Sequence, residues 1–180
     1  MKYMFASDVH GSAYYCRKML DAYKEEKAER LVLLGELLYH GPRNDLPREY
    51  APKQVISMLN DMKKEIYAVR GNCEAEVDQM VLQFPVMADY CILNLDGRTF
   101  YATHGHIYNE NNLPPIQEGD ILIHGHTHVL KAEQKEDYVL LNPGSVSIPK
   151  EGNPPTYAIF EDGGFTIEEL AGNIDKSIEL

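Results

Sequence analysis

Three short apolar runs in the first part of the chain predict β-strands. They occupy residues 2–7, 31–34 and 66–69. The run at 31–34 is Leu-Val-Leu-Leu without a polar interruption, which is typical of a strand covered on both faces. We therefore expect these runs to be strands of one buried sheet.

Helical periodicity separates the three predicted strands. Ser12 is a suitable N-cap for a first helix, in which apolar side chains recur at Ala13, Cys16, Leu20 and Tyr23. Pro52 suits the first turn of a second helix, whose apolar side chains are Val55, Ile56, Leu59 and Met62. A polar loop at residues 35–50 precedes that helix. The order strand–helix–strand–helix–strand predicts a parallel sheet with right-handed crossovers.

The second half of the chain is predicted to consist mostly of strands. Asp96-Gly97 separates runs at 90–95 and 98–103, a strong signal for a β-hairpin. Further strands are expected at 121–124, 134–142, 156–161 and 165–170, with a tight turn at Asn142-Pro143-Gly144-Ser145. Together the patterns predict one domain over residues 1–180, with a two-layered β core and helices outside.

Composition and charge restrict the function classes. The 180 residues are 44% hydrophobic and 25% charged, which is typical of a globular domain. Seventeen Lys and Arg against 28 Asp and Glu give a net charge of −11, which argues against a long nucleic acid as partner. No apolar run approaches the ~18 residues of a membrane span, the start does not resemble a signal peptide, and the three cysteines have no C-x-x-C spacing. We expect a cytoplasmic protein without a membrane partner.

Side chains that bind metals follow the predicted strands at their carboxyl ends. In chain order they are Asp8 and His10, Glu36, Asn72, His104, and finally His126 and His128. Ligands of open α/β sheets bind at this edge, so five distant segments are expected to converge there. Each motif alone has an ordinary explanation as a turn or a helix cap, but their conjunction indicates a metal site.

The chemistry of these side chains narrows the choice of metal. Carboxylates, imidazoles and an amide oxygen without a thiolate suit Mn²⁺, Fe, Co²⁺, Ni²⁺ or Zn²⁺. A single zinc ion would need three or four of them. A carboxylate shared by two cations places the metals ~3.5–4 Å apart, the arrangement used on phosphate esters.

The combined motifs resemble the calcineurin-like metallophosphoesterase superfamily over residues 1 to about 160. The motifs that carry the resemblance are Asp8-Val9-His10-Gly11, Gly35-Glu36, Gly71-Asn72, His104-Gly105-His106 and Gly125-His126-Thr127-His128. Segments 40–44, 69–73 and 142–150 are similar to those of the small bacterial YfcE-type phosphodiesterases.

The resemblance implies an α/β fold, specifically a four-layer α/β/β/α sandwich with mixed sheets, and two divalent metal ions at one edge. Asp8, His10 and His128 would hold one ion, Asn72, His104 and His126 the other, and Glu36 would bridge them. Mn²⁺ is the first expectation, with Ni²⁺, Fe, Co²⁺ or Zn²⁺ as alternatives. The implied activity is hydrolysis of small phosphodiesters by a metal-bridging hydroxide that attacks phosphorus.

Three further residues are candidates for substrate contact or proton transfer. His106 is expected to lie beside the phosphate and donate a proton or hydrogen bond. Asn72 is also a candidate catalytic residue. His40 and Arg43, on the polar loop after the second strand, are candidate substrate-binding residues. The general acid stays open, because Cys73 occupies a position where many members have His.

Other functions remain as alternatives. Most members of the superfamily have Gly-Asp where this chain has Gly35-Glu36, which leaves the metal spacing open. A phosphomonoesterase and a non-catalytic scaffold with this fold are the runner-up interpretations, and a homo-oligomer is possible. A metallo-β-lactamase-like hydrolase is disfavoured because its HxHxDH signature is missing.

Overall fold

The computed structural model describes residues 1–180 and contains three helices and eleven strands. In chain order the elements are β1 (Tyr3–Ala6), α1 (Ala13–Glu25), β2 (Arg30–Leu33), α2 (Pro52–Asp61), β3 (Ile66–Ala68), α3 (Glu76–Val81), β4 (Tyr90–Leu95), β5 (Arg98–Thr103), β6 (Ile121–His124), β7 (Lys131–Gln134), β8 (Val139–Asn142), β9 (Thr156–Glu161), β10 (Gly164–Glu169) and β11 (Ile174–Glu179).

The strands form two mixed sheets. The first has the order β11-β10-β9-β1-β2-β3, and β1, β2 and β3 are parallel, as the βαβαβ pattern predicts. The second has the order β4-β5-β6-β8-β7, with β5, β6 and β8 parallel. Each sheet therefore has adjacent parallel strands whose carboxyl ends lie along one edge.

Apolar side chains fill the space between the two sheets. Phe5 of β1 stacks on Phe100 of β5 with ring centroids 6.0 Å apart, and Phe100 meets Phe160 of β9 edge-on at 5.0 Å. Phe5, Phe100 and Phe160 are essentially inaccessible to solvent. Aromatic pairs of this kind bury large areas and fix the sheets against each other.

Helices α1 and α2 cover the outer face of the first sheet. The Ser12 side chain caps α1 as predicted, accepting a hydrogen bond from the backbone N–H of Tyr15 at 3.2 Å. Cys16 and Leu20 of α1 and Leu59 of α2 pack in one cluster with Leu31 of β2. Because alternate residues of a strand face opposite sides, the uninterrupted apolar run of β2 serves both this cluster and the core between the sheets.

A loop covers the outer face of the second sheet, where the four-layer arrangement leads one to expect helices. Leu122 and Leu140 face outward yet are fully buried, and the Tyr101 hydroxyl donates to the Pro115 carbonyl at 3.0 Å. The covering segment contains Pro114-Pro115, which has no backbone N–H donors and does not continue a helix. The two-sheet α/β class is confirmed, and its fourth layer is irregular.

Three elements differ from the sequence-based expectation. Residues 134–142 are not one strand, because a turn in which the Lys135 N–H donates to the Tyr138 carbonyl at 2.8 Å separates β7 from β8. The pattern also missed α3 and β11. Neither contains a buried residue, so neither has the apolar periodicity on which the prediction depends. No helix has the length and apolar character that crossing a membrane requires.

Candidate metal centre

The loops after β1, β2, β3, β5 and β6 meet at one edge of the sandwich, where the candidate ligands lie. A Cβ atom on Gly35, whose φ is +96°, would lie 2.6 Å from the Gly71 nitrogen and 2.9 Å from Nδ1 of His104. Glycine is thus required where the loops after β2, β3 and β5 touch. The edge predicted from the strand order is where the structure places these segments.

Asp8, His10 and His128 form a buried cluster. Oδ1 of Asp8 lies 3.4 Å from Nε2 of His10 and 3.2 Å from Nε2 of His128, and one candidate ligand atom from each residue lies within 4.8 Å of the others. Two donor atoms bound at right angles to one ion, each ~2.0–2.2 Å from it, are about 3 Å apart. The distances between these donor atoms are therefore suitable for all three residues to bind the same cation.

A second pair of imidazoles lies beside this cluster. Nε2 of His104 is 3.1 Å from Nδ1 of His126. The Glu36 carboxylate lies between the two groups, with Oε1 3.9 Å from Nε2 of His104 and Oε2 3.8 Å from Nδ1 of His10. Asn72 is exposed at the rim of the same cavity and donates from Nδ2 to Sγ of Cys73 at 3.3 Å. The structure thus brings all seven candidate ligands to one location.

Backbone carbonyls set the tautomers of three histidines. Nδ1 of His10 lies 2.9 Å from the Tyr39 carbonyl, Nδ1 of His104 lies 2.6 Å from that of Leu34, and Nδ1 of His128 lies 2.7 Å from that of Ile148. A carbonyl oxygen only accepts, so each Nδ1 carries the proton and each Nε2 presents its lone pair to the cavity. This is the hydrogen bonding that orients metal-binding imidazoles.

Two buried polar atoms of the cluster lack a hydrogen-bond partner, namely Oδ1 of Asp8 and Nε2 of His10. Leaving such groups unsatisfied costs free energy, about 1–3 kcal/mol for each. A divalent cation would satisfy both, and nitrogen and oxygen donors without a thiolate match the metals of the manganese-to-zinc series. The residues present therefore fit the metals that the motifs imply.

Burial and neighbouring charges shift the pKa values of the candidate ligands, and most of the shifts favour ligation. His10 is the exception, because burial would lower its pKa but the Asp8 and Glu36 carboxylates raise it. Burial alone would raise the pKa of Asp8, but the neighbouring imidazoles of His10 and His128 hold it well below its usual range. Burial lowers the pKa of His104 to about 4 and also lowers the pKa of His126. An ionised carboxylate and neutral imidazoles are the forms that bind metal ions.

Five of the seven candidate ligands have left-handed backbone conformations. The φ angles are +59° at Asp8, +49° at His10, +57° at Glu36, +66° at His126 and +60° at His128. This conformation costs about 1–3 kcal/mol at non-glycine residues and persists where surrounding contacts over-determine it, frequently at functional sites. Here the loops after β1 and β2 are joined by backbone bonds from Asp8 to Gly35 and from His10 to Glu36, at 3.1 and 2.8 Å.

Three serines that the sequence analysis did not single out position Asp8. The Ser7 hydroxyl donates to Oδ2 of Asp8 at 2.7 Å, and the hydroxyls of Ser145 and Ser147 donate to the Asp8 carbonyl at 2.9 and 2.8 Å. Oδ2 also accepts from the backbone N–H of His126 at 3.1 Å. The segment after β8 therefore holds the backbone of the loop that carries Asp8 and His10.

Glu74 is a second residue that the sequence analysis missed. Its buried carboxylate accepts from the backbone N–H groups of Glu36, Leu37 and Gly71 at 2.9, 2.7 and 2.6 Å. Burial and the Glu36 carboxylate raise the pKa of Glu74 to about 7. Its position two residues after Asn72 was the available signal, since a carboxylate there reaches the neighbouring ligand loop.

A polar cavity of about 310 Å³ opens over the candidate ligands. Arg43, Asn44 and Lys150 are among the residues that line it. His40 is not a lining residue, and its ring packs edge-on against Tyr39 and Tyr50 at 4.8 and 5.2 Å. The predicted substrate contact of Arg43 is thus at the cavity, while His40 packs between two aromatic rings.

His106 lies beside the imidazole pair and is not among the residues that line the cavity. Its ring centroid is 5.5 Å from that of His104 and 6.3 Å from that of His126. Burial and the Arg70 guanidinium lower the pKa of His106, which favours the neutral ring. A neutral imidazole keeps one N–H with which to donate to a bound oxyanion.

Comparison with known proteins gives matches that span nearly the whole chain. A family model for the calcineurin-like phosphoesterase superfamily domain matches residues 1–162. The chain is 46% identical to phosphodiesterase YfcE from Escherichia coli strain K12 over 170 residues, which cover 94% of this chain and 92% of that protein.

Solved structures show the same fold. The E. coli phosphoesterase Yfce superposes with a TM-score of 0.97 at 43% identity, and the match covers 99% of both chains. Vacuolar protein sorting 29 from Cryptosporidium parvum superposes with a TM-score of 0.65 at 16% identity over 99% of this chain and 98% of that one. The second likeness is one of fold alone.

Proposed function

Because the chain belongs to the calcineurin-like phosphoesterase superfamily, we propose that it is a metal-dependent phosphodiesterase acting on small phosphodiesters. The observation that carries the proposal is the buried Asp8–His10–His128 cluster, whose unpartnered polar atoms face a polar cavity. The 46% sequence identity of the chain to a phosphodiesterase supports hydrolysis of diesters in particular.

The proposed ligand sets follow the two groups of side chains. Asp8, His10 and His128 would hold one divalent cation, while Asn72, His104 and His126 would hold the second. Glu36, which lies between the groups, would bridge them. When bound, such cations lower the pKa of water toward neutrality and neutralise charge on phosphoryl oxygens.

The remaining residues orient these groups and meet the ester. Ser7 and the His126 backbone hold the Asp8 carboxylate, and the Tyr39, Leu34 and Ile148 carbonyls keep the imidazole lone pairs pointing inward. Asn72, at the cavity rim, and His106, beside the imidazole pair, would meet the phosphate, and the His106 N–H would donate to one of its oxygens. Arg43 would contact the ester from the cavity wall, and His40 would support that loop.

The finer features of the proposal concern metal, location and assembly. We propose Mn²⁺ as the native ion, with Ni²⁺, Fe, Co²⁺ and Zn²⁺ as alternatives, because the donors are nitrogen and oxygen without sulfur. The substrate is a small phosphodiester rather than a long nucleic acid, given a net charge of −11. We further propose a cytoplasmic location and a homo-oligomer.

A non-catalytic scaffold is the second candidate function, because vacuolar protein sorting 29 has a similar fold. Fold alone does not fix function. The retained donors, their inward lone pairs and the strained ligand loops favour the enzyme, since a scaffold has no need of them. A phosphomonoesterase is the remaining alternative.

The test is an assay of metal-free protein against bis(4-nitrophenyl) phosphate and 4-nitrophenyl phosphate with Mn²⁺, Ni²⁺, Zn²⁺ or Mg²⁺ added singly. We expect no turnover in excess chelator, recovery with Mn²⁺, and at least tenfold higher kcat/KM for the diester. Preference for the monoester would replace the diesterase by a monoesterase. Absence of both turnover and bound metal would favour the scaffold.

A further inference from the structure

Two cationic side chains at the cavity have no ion-pair partner. Arg43 and Lys150 line the same cavity as Asp8, His10 and His126. The Lys and Arg ion pairs of the chain involve other residues, namely Lys2, Arg17, Arg70, Lys131 and Lys135. Because these two cations line one cavity beside the candidate metal ligands, they indicate an anionic occupant.

The backbone around both cations is held in place. The Lys150 N–H donates to the His128 carbonyl at 3.1 Å, and the Lys150 carbonyl accepts from the backbone and side-chain nitrogens of Asn153 at 3.1 and 2.8 Å. In the loop after β2, Nδ2 of Asn44 donates to the His40 carbonyl at 2.8 Å and closes the turn that carries Arg43. Each side chain thus starts from a fixed position relative to the ligand loops.

The charge at these two residues exceeds what the reacting phosphate needs. Two bound divalent cations, set against the carboxylates of Asp8 and Glu36, would leave net positive charge that neutralises a singly charged diester. Arg43 and Lys150 would then remain without a counter-charge. A second anionic group on the substrate would supply this counter-charge. The Arg43 guanidinium is suited to bind a phosphate through two hydrogen bonds.

We propose that Lys150, together with Arg43, determines specificity by binding a second phosphate or carboxylate carried on one arm of the diester. The inference rests on the proposed phosphodiesterase activity and names its substrate class. The cavity of about 310 Å³ accepts one compact polar arm of this kind. Lys150 selects among diesters and takes no part in bond cleavage.

The experiment compares two esters that share the scissile bond and leaving group. They are thymidine 5′-(4-nitrophenyl phosphate) and the same compound with an added 3′-phosphate. We expect kcat/KM of the Mn²⁺-loaded protein to be at least tenfold higher for the second, mainly through KM. Lys150→Gln and Arg43→Gln should each reduce that preference about tenfold, and Lys53→Gln, an exposed lysine of α2, should leave it unchanged.

Binding calorimetry provides a readout that does not depend on turnover. Thymidine 3′,5′-bisphosphate should bind the metal-loaded protein at least tenfold more tightly than thymidine 5′-monophosphate, and Lys150→Gln should remove the difference. Metal content of each variant is measured in parallel.

Equal kcat/KM for the two esters, with active wild-type protein, would overturn the specificity role and leave the phosphodiesterase standing. An equal loss on both esters in Lys150→Gln would assign the lysine to the reacting phosphate instead, and would also overturn it. Protein that hydrolyses neither ester with any metal would contradict the phosphodiesterase activity itself. In that case, equal binding of the two nucleotides would separately reject the proposed role of Lys150 and Arg43 in binding a second anionic group.

Discussion

At the scale of single residues, the candidate centre depends on groups that do not themselves face the cavity. Oδ2 of Asp8 is occupied by Ser7 and the His126 backbone, so only Oδ1 is left for a cation. In His10, His104 and His128 a backbone carbonyl likewise engages Nδ1, which leaves Nε2 as the atom on the cavity side; Nε2 of His104 there contacts Nδ1 of His126 at 3.1 Å. The surroundings therefore decide which atom of each side chain is the ligand.

Asp8→Asn is expected to abolish metal-dependent turnover while the protein stays folded. The amide has nearly the same shape but no charge, so it neither attracts the cations nor pairs with His10 and His128. We expect kcat/KM on bis(4-nitrophenyl) phosphate to fall by at least a hundredfold and bound metal to fall with it. Circular dichroism checks the fold, and Asp61→Asn, at the end of α2, serves as control.

His126→Ala should have the same effect on turnover, because it removes one member of the 3.1 Å imidazole pair. Activity like that of the wild type in both Asp8→Asn and His126→Ala would reject the ligand assignment.

Glu36→Asp is expected to preserve or raise activity. Aspartate is the residue that most members of the superfamily have after this glycine, and it keeps the bridging charge while shortening the side chain by one methylene. The substitution gives up the hydrogen bond from the Cys73 N–H to Oε1 of Glu36, at 2.6 Å. The measurement is kcat at saturating Mn²⁺, with Glu36→Gln as the inactive comparison. Complete loss in Glu36→Asp would mean that the loops have adapted to the longer side chain.

At the scale of elements, the order of the parallel strands determines which loops meet at the candidate centre. Parallel β1, β2 and β3 bring three ligand loops to one edge, and parallel β5 and β6 bring two more. The elements predicted best have apolar residues at regular positions, such as the β4–β5 hairpin around Asp96-Gly97, whose two strands have the predicted bounds. The β7–β8 turn and the exposed α3 and β11 lacked that signal.

Gly125→Ala is expected to disrupt the contact between the loop after β6 and the end of β1. The new Cβ would lie 1.9 Å from Oγ of Ser7 and 2.8 Å from Oδ2 of Asp8, so the Ser7–Asp8–His126 arrangement must shift. Overpacking of this kind costs about 1–3 kcal/mol, and a lost ligand geometry lowers metal affinity as well. Thermal unfolding with and without Mn²⁺ measures both effects.

Gly164→Ala provides the matched control, because a Cβ there makes ordinary contacts with its nearest neighbour at 3.5 Å. An unchanged Tm and metal affinity in Gly125→Ala would contradict the prediction, because it would mean that the loop accommodates the added Cβ without disturbing Ser7 and Asp8.

At the scale of the whole molecule, the candidate centre lies at the edge of the sandwich where the carboxyl ends of parallel strands from both sheets meet. The first sheet supplies Asp8, His10, Glu36 and Asn72, and the second supplies His104, His126 and His128. The aromatic core of Phe5, Phe100 and Phe160 holds the sheets in register, so the stability of the sandwich and the geometry of the centre are coupled.

Metal binding should therefore stabilise the entire fold. A ligand present at a hundred times its Kd contributes about 2.7 kcal/mol. For a chain of this size, each kcal/mol raises Tm by about 2–4 °C. We expect metal-free protein to gain about 5–10 °C in Tm with saturating Mn²⁺, measured by calorimetry. The gain should disappear in Asp8→Asn and persist in Asp61→Asn, and an unchanged wild-type Tm would argue against a structural link between the ions and the sheets.

The sequence by itself determined the βαβαβ unit, the hairpin at Asp96-Gly97 and the seven candidate ligands at strand ends. These features follow from local periodicity and from short motifs, and both can be recognised without knowing which distant segments meet. The same holds for the metal class, because it depends on donor types alone.

Only the tertiary structure decided which atoms are left free to bind and which residues support them. Ser145 and Ser147 act on the Asp8 carbonyl far away along the chain, so no spacing in the sequence reveals them, and only the fold shows that Glu74 binds the backbone of Glu36 and Leu37. The left-handed backbones of the candidate ligands and the position of Lys150 at the cavity are likewise visible only in the folded chain. Contacts between segments separated by many residues are set by how the whole chain packs, and local sequence patterns carry no record of them.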